Sequence, residues 1–208
     1  MCGRYVVKNP VTKTNKLVKT AIKVENNENY NAHPYQKLPV IKKYKNGNTL
    51  ESLKWGLVPS WAKDKDFKSL INARLETIDE KVSFKKLIRN NRCVAVADGF
   101  YEWKKEVKEK IPYYFFRKDG NPIFFAGIYD EDQFCLITEE AKENVNEVHN
   151  RQPVIINQTD VNRYLNLELQ GSDFLRERNK PNLVFYEVSK DVNKPTNNTT
   201  SLIQKVSN

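Results

Sequence analysis

RCVAVADGFYEW, residues 92–103, is the stretch on which the fold turns. Cys93–Ala97 and Phe100–Lys104 read as strands, because short runs of apolar, β-branched and aromatic residues fit a pleated surface, and Asp98-Gly99 divides them with a turn signal. Downstream, Pro112–Arg117 and Ile123–Tyr129 read as a strand pair joined across Asp119-Gly120, a strong hairpin signal. Phe134–Thr138, Val154–Ile156 and Leu183–Val188 are further strands, with short helices expected over Glu139–Val148, Asn162–Leu169 and Asp173–Asn179.

Upstream, Ser83–Asn90 reads as a helix with Ser83 available as a cap. GLVPSWAKDKDFKSLINARLET, residues 56–77, holds no sustained period and reads as a long ordered surface loop, a kind of segment that is usually functional. Leu38–Lys42 and Leu50–Trp55 pair around Asn46-Gly47, Asn26–Pro34 is polar loop, Lys8–Lys23 is a short amphipathic helix with a basic face, and Cys2–Val7 is a strand. Strands outnumber helices and no βαβ repeat is visible. The expected architecture is an α+β, β-rich, mainly antiparallel single domain over residues 1–208, with a barrel-like core, peripheral helices and a tail loosely ordered from about residue 195.

A chain of 208 residues suits one domain and buries roughly two thirds of its unfolded surface around one core. Its formal charge of +9, from 35 basic and 26 acidic residues, favours polyanionic partners, although Asn and Lys enrichment from nucleotide bias produces the same figure. The opening MCGRYVVKNP is not a signal peptide, and no apolar stretch is long enough to span a bilayer. A cytoplasmic monomer without a membrane partner, nucleoid-associated if bacterial, is therefore expected. Cys2, Cys93 and Cys135 are odd in number and widely spaced, which fits a reducing cytosol. Cys93 and Cys135 lie in strand-like runs and are expected as buried small side chains; no pair of cysteines has zinc-site spacing, so neither a metal nor a cofactor is expected.

The sharpest chemical feature is Cys2. Removal of Met1, which a small second residue permits, leaves an α-amine and a thiol on one carbon skeleton. With reference pKa values of about 8 and about 8.5, a usable fraction of each is free amine or thiolate near neutral pH. Such a 1,2-aminothiol captures an aldehyde in two steps, first as an imine and then by closure of the thiol onto the imine carbon to give a five-membered thiazolidine. Against this stands the plain reading of Cys2 as a small apolar residue in an edge strand. Asn72 in INARLET, Glu102 in ADGFYEW and His149 in EVHNRQPVI are polar groups in apolar or constrained settings, suited to holding a sugar hydroxyl, shuttling the protons of imine formation and exchanging a proton near pH 7. Plainer roles remain open for two of them: Glu102 as a surface carboxylate paired to a lysine, and His149 as a helix C-cap. Trp55 and Trp103 are expected to pack in the core ahead of stacking on a nucleotide.

Seven blocks, MCGRY, KWGLVPSWAKD, INARLET, RCVAVADGFYEW, FAGIY, VHNRQPV and VSKDVN, stand in the order found in the SOS-response-associated peptidase family, which the chain resembles from Cys2 to about Asn193. The resemblance implies a compact β-rich α+β body with a basic channel leading to Cys2, and a thiazolidine between Cys2 and the ring-opened aldehyde of an abasic site in single-stranded DNA, at or near replication-fork junctions. It implies Asn72, Glu102 and His149 as the catalytic partners of Cys2. Arg4, Arg74 and Arg151 are implied as phosphate contacts, and Trp61 with Pro34 as borders of the DNA. An imine that fails to close is open to β-elimination of the 3′ phosphate, so a weak abasic lyase activity is expected, and the family's name adds self-removal of Met1. Three positions depart from the family pattern: His33 in NAHP, where a small residue is usual, Val96 in a proline slot, and Gln152 in place of methionine. Two rivals are carried forward, a cysteine hydrolase using Cys2 with His149 and Glu102, and a non-catalytic single-stranded nucleic-acid-binding module.

Overall fold

The turn at Asp98-Gly99 is where the chain leaves one sheet for another. The computed structural model describes residues 2–62, 66–178 and 181–206. In chain order the elements are β1 (Tyr5–Val7), α1 (Pro10–Thr14), β2 (Thr20–Ala21), β3 (Asn29–Ala32), β4 (Lys37–Tyr44), β5 (Gly47–Trp55), β6 (Asn72–Arg74), α2 (Leu87–Asn90), β7 (Arg92–Ala97) and β8 (Gly99–Lys105). They continue with β9 (Lys110–Arg117), β10 (Ile123–Asp130), β11 (Gln133–Glu140), α3 (Glu143–Asn146), β12 (Arg151–Pro153), β13 (Ile155–Ile156), α4 (Val161–Leu165), α5 (Asp173–Glu177) and β14 (Leu183–Glu187).

Strands β5, β4, β7, β10 and β11 pair antiparallel in that order. An odd ring of alternating strands has to close through one parallel pair, and it does: β11 runs parallel to β5, with Gln133 opposite Lys54 and Phe134 opposite Trp55. The expected β-rich α+β body with a barrel-like core is what the chain adopts, closure leaving these strands without an open edge. A second, antiparallel sheet in the order β14-β9-β8-β1-β3 packs beside it. All six residues of β7 are buried: Cys93, Ala95 and Ala97 join the core shared with Tyr5, Phe100 and Phe115 of the second sheet, whereas Val94 and Val96 join the core of Ile88, Tyr164 and Phe174 under the short helices. Burial on both faces explains an unbroken apolar run without alternation. Gly99 is required at the crossing, since a Cβ there would lie 2.4 Å from the Phe115 carbonyl oxygen and 2.5 Å from the Tyr114 ring.

Several local expectations are corrected by tertiary partners. The Asp119-Gly120 turn forms, with Gly120 at φ +70, but β9 and β10 are not a hairpin: Arg117 pairs with Leu183 on β14 and Ile123 with Ala97 on β7. A turn signal fixes a chain reversal, not the identity of the strand that follows. Only Pro10–Thr14 of the Lys8–Lys23 segment is helical, because β5 recruits the later backbone, Lys19 N donating to Asn48 O and Ile22 N to Leu50 O. Asn26–Pro34 is not all loop, since Asn29–Ala32 pairs with β1, and Cys2–Arg4 precede the strand expected to contain them. The loop over residues 56–77 carries β6, which runs parallel to β11. Of Ser83–Asn90 only the last turn is regular helix, and of Glu139–Val148 only Glu143–Asn146, Glu139 and Glu140 remaining in β11. The predicted end of the last helix, Asn179, lies outside the described residues.

The segment from about residue 195, expected to be loose, is tied down through residue 206. Leu202 is buried in a cluster with Val6, Tyr101, Val188 and Val192, a burial worth about 2 kcal/mol. Asn198 Oδ1 accepts from Tyr30 N at 2.6 Å, and Tyr186 Oη donates to Ile203 O at 2.7 Å. These contacts brace the sheet that carries Glu102.

Candidate active site

Four segments distant in sequence converge on the seam between the barrel and the second sheet. Cys2 lies just ahead of β1, Asn72 opens β6, Glu102 is central in β8, and His149 follows α3. Asn72 Nδ2 donates to the Cys2 carbonyl at 3.0 Å, fixing the backbone of the residue that would carry both nucleophiles. Asn72 Oδ1 is buried with no hydrogen-bond partner among the described residues. Glu102 Oε2 stands 3.9 Å from His149 Nε2. His149 Nδ1 meets both the N–H of Arg151 at 3.0 Å and its carbonyl oxygen at 3.2 Å, contacts that suit either neutral tautomer, and Nε2 faces Glu102. Glu102 and His149 line a cavity of about 640 Å³ together with Trp103 and Lys110.

Burial dominates the electrostatics. It raises Glu102 to about 7 against the pull of the amino-terminal charge, which overturns the reading of Glu102 as a surface carboxylate paired to lysine. Burial pushes the Cys2 thiol far up, and the Glu102 carboxylate adds to the effect. The expectation of a standing thiolate fraction is thereby corrected: Cys2 is fully buried, and its Sγ lies 3.9 Å from the Arg4 carbonyl oxygen. Burial also holds His149 below the usual imidazole range, with the amino-terminal charge and Lys110 acting in the same direction. The plainer reading of His149 as a helix C-cap is corrected: Glu147 caps α3, and His149, beyond it, bonds back through its N–H to Val145 O at 2.9 Å while its ring faces the site.

The groups expected to hold phosphate divide sharply. Arg74 is exposed, two residues along β6 from Asn72, and makes no ion pair or hydrogen bond among the described residues. Arg151 instead grips Glu76 with both nitrogens, at 2.6 and 3.0 Å, and reaches the Thr138 carbonyl at 2.9 Å. Arg4 is turned to the tail, donating to Asn31 Oδ1 at 2.6 Å and Val192 O at 2.7 Å. As placed, Arg4 and Arg151 brace the site more than they offer free cations. Trp61 is half exposed and meets Phe67 edge-on at 5.4 Å; neither it nor Pro34 lines the cavity beside Glu102. His33 Nδ1 lies 2.9 Å from Pro34 O, within its own loop. Trp55 is fully buried as expected, with Nε1 donating to Ile71 O, and so are Cys93 and Cys135; Trp103 is only partly buried, with Nε1 donating to Asn193 Oδ1 at 2.7 Å.

Residues 1–195 match the family profile described as SOS response associated peptidase (SRAP). The chain belongs to the SRAP family. It is 36% identical over 195 residues to the abasic site processing protein YoqW of Bacillus subtilis, covering 86% of this chain and 87% of that one. Identity to the abasic site processing protein YedK of Escherichia coli is 31% over 152 residues, or 69% of this chain and 67% of that one. A crystal structure of a Bacteroides thetaiotaomicron protein superposes with a TM-score of 0.85 over 99% of this chain and all of its own, at 23% identity, which establishes the shared fold.

Within this SRAP chain, sequence reasoning missed the residues that hold the site groups in place. Asn31 is buried and its Nδ2 donates to Val192, Lys194 and Asn197 carbonyls, locking the C-terminal turn under Arg4. Glu76 is the partner of Arg151, and Gln152 bonds Glu139 at 2.8 Å where methionine could not. A buried polar residue in a strand of asparagines leaves no periodic signal, and a salt bridge across 75 residues leaves none at all.

Proposed function

We propose that this protein processes abasic sites in DNA, by forming a covalent link between Cys2 and the aldehyde of a ring-opened abasic nucleotide in single-stranded DNA, including single-stranded stretches at replication-fork junctions. The observation that carries this reading is the meeting of Cys2, Asn72, Glu102 and His149 at one seam, with a buried carboxyl that exchanges its proton near pH 7. An abasic nucleotide has no base to unstack, so its sugar enters a narrow site at lower cost than an intact nucleotide.

Cys2 is joined to Met1 by a peptide bond in the chain as translated, so its nitrogen becomes nucleophilic only once that bond is hydrolysed, releasing methionine. Glu102 is suited to take the proton of the attacking water and pass it to the departing amine. With the amine free, Glu102 accepts its ammonium proton; His149, held neutral, takes the C1 hydroxyl proton on Nε2 as the bond from C1 to the ring oxygen breaks and returns it to that oxygen, so the aldehyde opens with no net change in protonation. Nitrogen adds to the aldehyde carbon, water leaves with a proton from Glu102, and a C=N bond remains. The S–H then adds across that bond: sulfur bonds carbon, and the proton reaches nitrogen by way of Glu102. Because the thiol is held protonated, Glu102 has to act as base in this step. Stopping at the imine leaves a species open to β-elimination of the 3′ phosphate, hence a weak lyase activity.

The test mixes the protein with a uracil-containing oligonucleotide pretreated with uracil glycosylase, followed by a denaturing gel and intact mass. A denaturant-resistant adduct on the des-Met1 chain is expected. Cys2→Ser retains imine and strand cleavage but no stable adduct, and Glu102→Gln slows adduct formation by about 100-fold. Undiminished capture by a chain that keeps Met1, or whose α-nitrogen is acetylated, rules the mechanism out. Peptide cleavage alone would point to a hydrolase, and a purely reversible shift to a binding module.

A further inference from the structure

The hairpin of β8 and β9 puts Lys105 directly opposite Lys110, and like charges facing each other across an antiparallel pair repel. Both line the cavity that Glu102 and His149 open onto. Neither makes an ion pair or hydrogen bond among the described residues, although acidic side chains are near: Glu106 pairs with Lys104 at 3.6 Å, and Glu109 pairs with Lys190. Glu109 and Lys190 line the same cavity as an ion pair, which leaves Lys105 and Lys110 as its lysines without an ion pair or hydrogen bond among the described residues. Trp103, two residues along β8 from Lys105, stands on the same wall, its ring plane fixed by the bond from Nε1 to Asn193 Oδ1. Meanwhile two of the three arginines that the family pattern suggests for phosphate are engaged elsewhere, Arg151 by Glu76 and Arg4 by Asn31 and the tail.

We infer that Lys105 and Lys110 form a phosphate-binding subsite, holding the backbone of the nucleotide next to the lesion while Trp103 walls the space beside its base. This rests on the DNA reading of the site given above and adds to it the residues that seat the strand. A phosphate between the two ammonium groups converts a repelling pair into a bridged one, and does so within reach of His149, whose ring already feels the Lys110 charge. Arg74, exposed on β6 at the other side of Asn72, would take the neighbouring phosphate, so the strand would cross the seam between the hairpin tip and β6.

The experiment separates strand seating from covalent chemistry by using an oligonucleotide with a tetrahydrofuran abasic analogue, which has no aldehyde. Affinity is measured by fluorescence anisotropy over a series of KCl concentrations for the full chain, for Lys105→Ala, Lys110→Ala and the double variant, with Lys45→Ala in the β4–β5 turn as control. Each lost phosphate contact lowers the slope of log Kd against log salt by about 0.7 for single strands. The double variant is expected to lose about one such unit and to weaken binding at least several-fold at low salt, Lys110→Arg to restore it, and Lys45→Ala to change neither. A slope unchanged in the double variant, with thermal midpoints matching the parent, overturns the subsite. If the slope falls while the parent forms no adduct with a true abasic site, the subsite stands and the Cys2 chemistry fails.

Discussion

Arg92 and Glu102 are both only 2% exposed, yet their surroundings are opposites. Around Arg92 the chain has replaced water: Nε donates to Ile88 O, Nη1 to Tyr164 O, and Nη2 to Leu169 O and Gly171 O, with the Tyr164 ring 5.1 Å from the guanidinium. Burial lowers the Arg92 pKa from so high a start that the charge persists. Around Glu102 burial outweighs every compensation, and the carboxyl rises to about 7. The difference separates a buried charge that braces the fold from a buried group whose surroundings let it change protonation state. A saturated ion is fixed in one protonation state, whereas an under-compensated one trades its proton at the pH where the protein works.

The largest effect should come from the saturated side. Arg92→Met strands four carbonyl acceptors that join α2, α4 and the loop before α5 to β7, and is expected to lower unfolding stability by about 4 kcal/mol in urea titrations. A loss under 1 kcal/mol would show that the site relaxes and that saturation is not what matters there.

Glu102→Gln should act in the opposite direction. Because the folded pKa is raised from 4.5 to about 7, the folded state binds more protons than the unfolded state across that window. The Glu102 contribution to stability is therefore full below pH 4.5, falls as pH rises toward 7, and is flat beyond it; the loss is about 3 kcal/mol. The glutamine variant should lack this decline and be more stable than the parent at pH 8, even as adduct formation slows. Parallel pH–stability curves for the two proteins would remove the basis of the comparison.

A smaller gain is expected from Tyr5→Phe. The Tyr5 hydroxyl is buried against Trp55 and Phe125 with no hydrogen-bond partner among the described residues, so deleting it should stabilise by up to about 1 kcal/mol in the same titration. Destabilisation would mean that the oxygen is solvated within the site. The smallest effect belongs to Glu76→Gln. Burial is the largest single influence on the Glu76 carboxyl and pushes it up, but the Arg151 hydrogen bond and charge together with backbone N–H donors outweigh it and hold the carboxyl below its usual range, so the pair stabilises above pH 4.5 and ceases to as pH falls through the lowered value. Glu76 is 44% exposed, and screening limits the loss to under about 1 kcal/mol. A larger loss would place Arg151 among the saturated ions with Arg92.

Much of this was legible before any tertiary contact was known. The strands flanking Asp98-Gly99, the Asn46-Gly47 hairpin and the last strand were visible because β-rich runs and turn residues act locally. Polar residues inside β3 and the basic segment after α1 were not, since Asn31 sits in a strand only to bind the tail, and Lys19 and Ile22 extend only because β5 offers them partners. Of the site, Cys2, Asn72, Glu102 and His149 were identifiable by residue type and by motif. Arg4 and Arg151 were legible as cations but not as cations already engaged.

By itself, the sequence determined which short segments extend, where the chain reverses, and which side chains own the nitrogen, sulfur and carboxyl chemistry. Only the tertiary structure decided that β9 and β10 part company, that five strands close through one parallel pair, and that a carboxyl in β8 titrates near 7. The reason is range: backbone preference and bond chemistry act over a few residues, while strand partners, burial and charge compensation are sums over groups far apart along the chain.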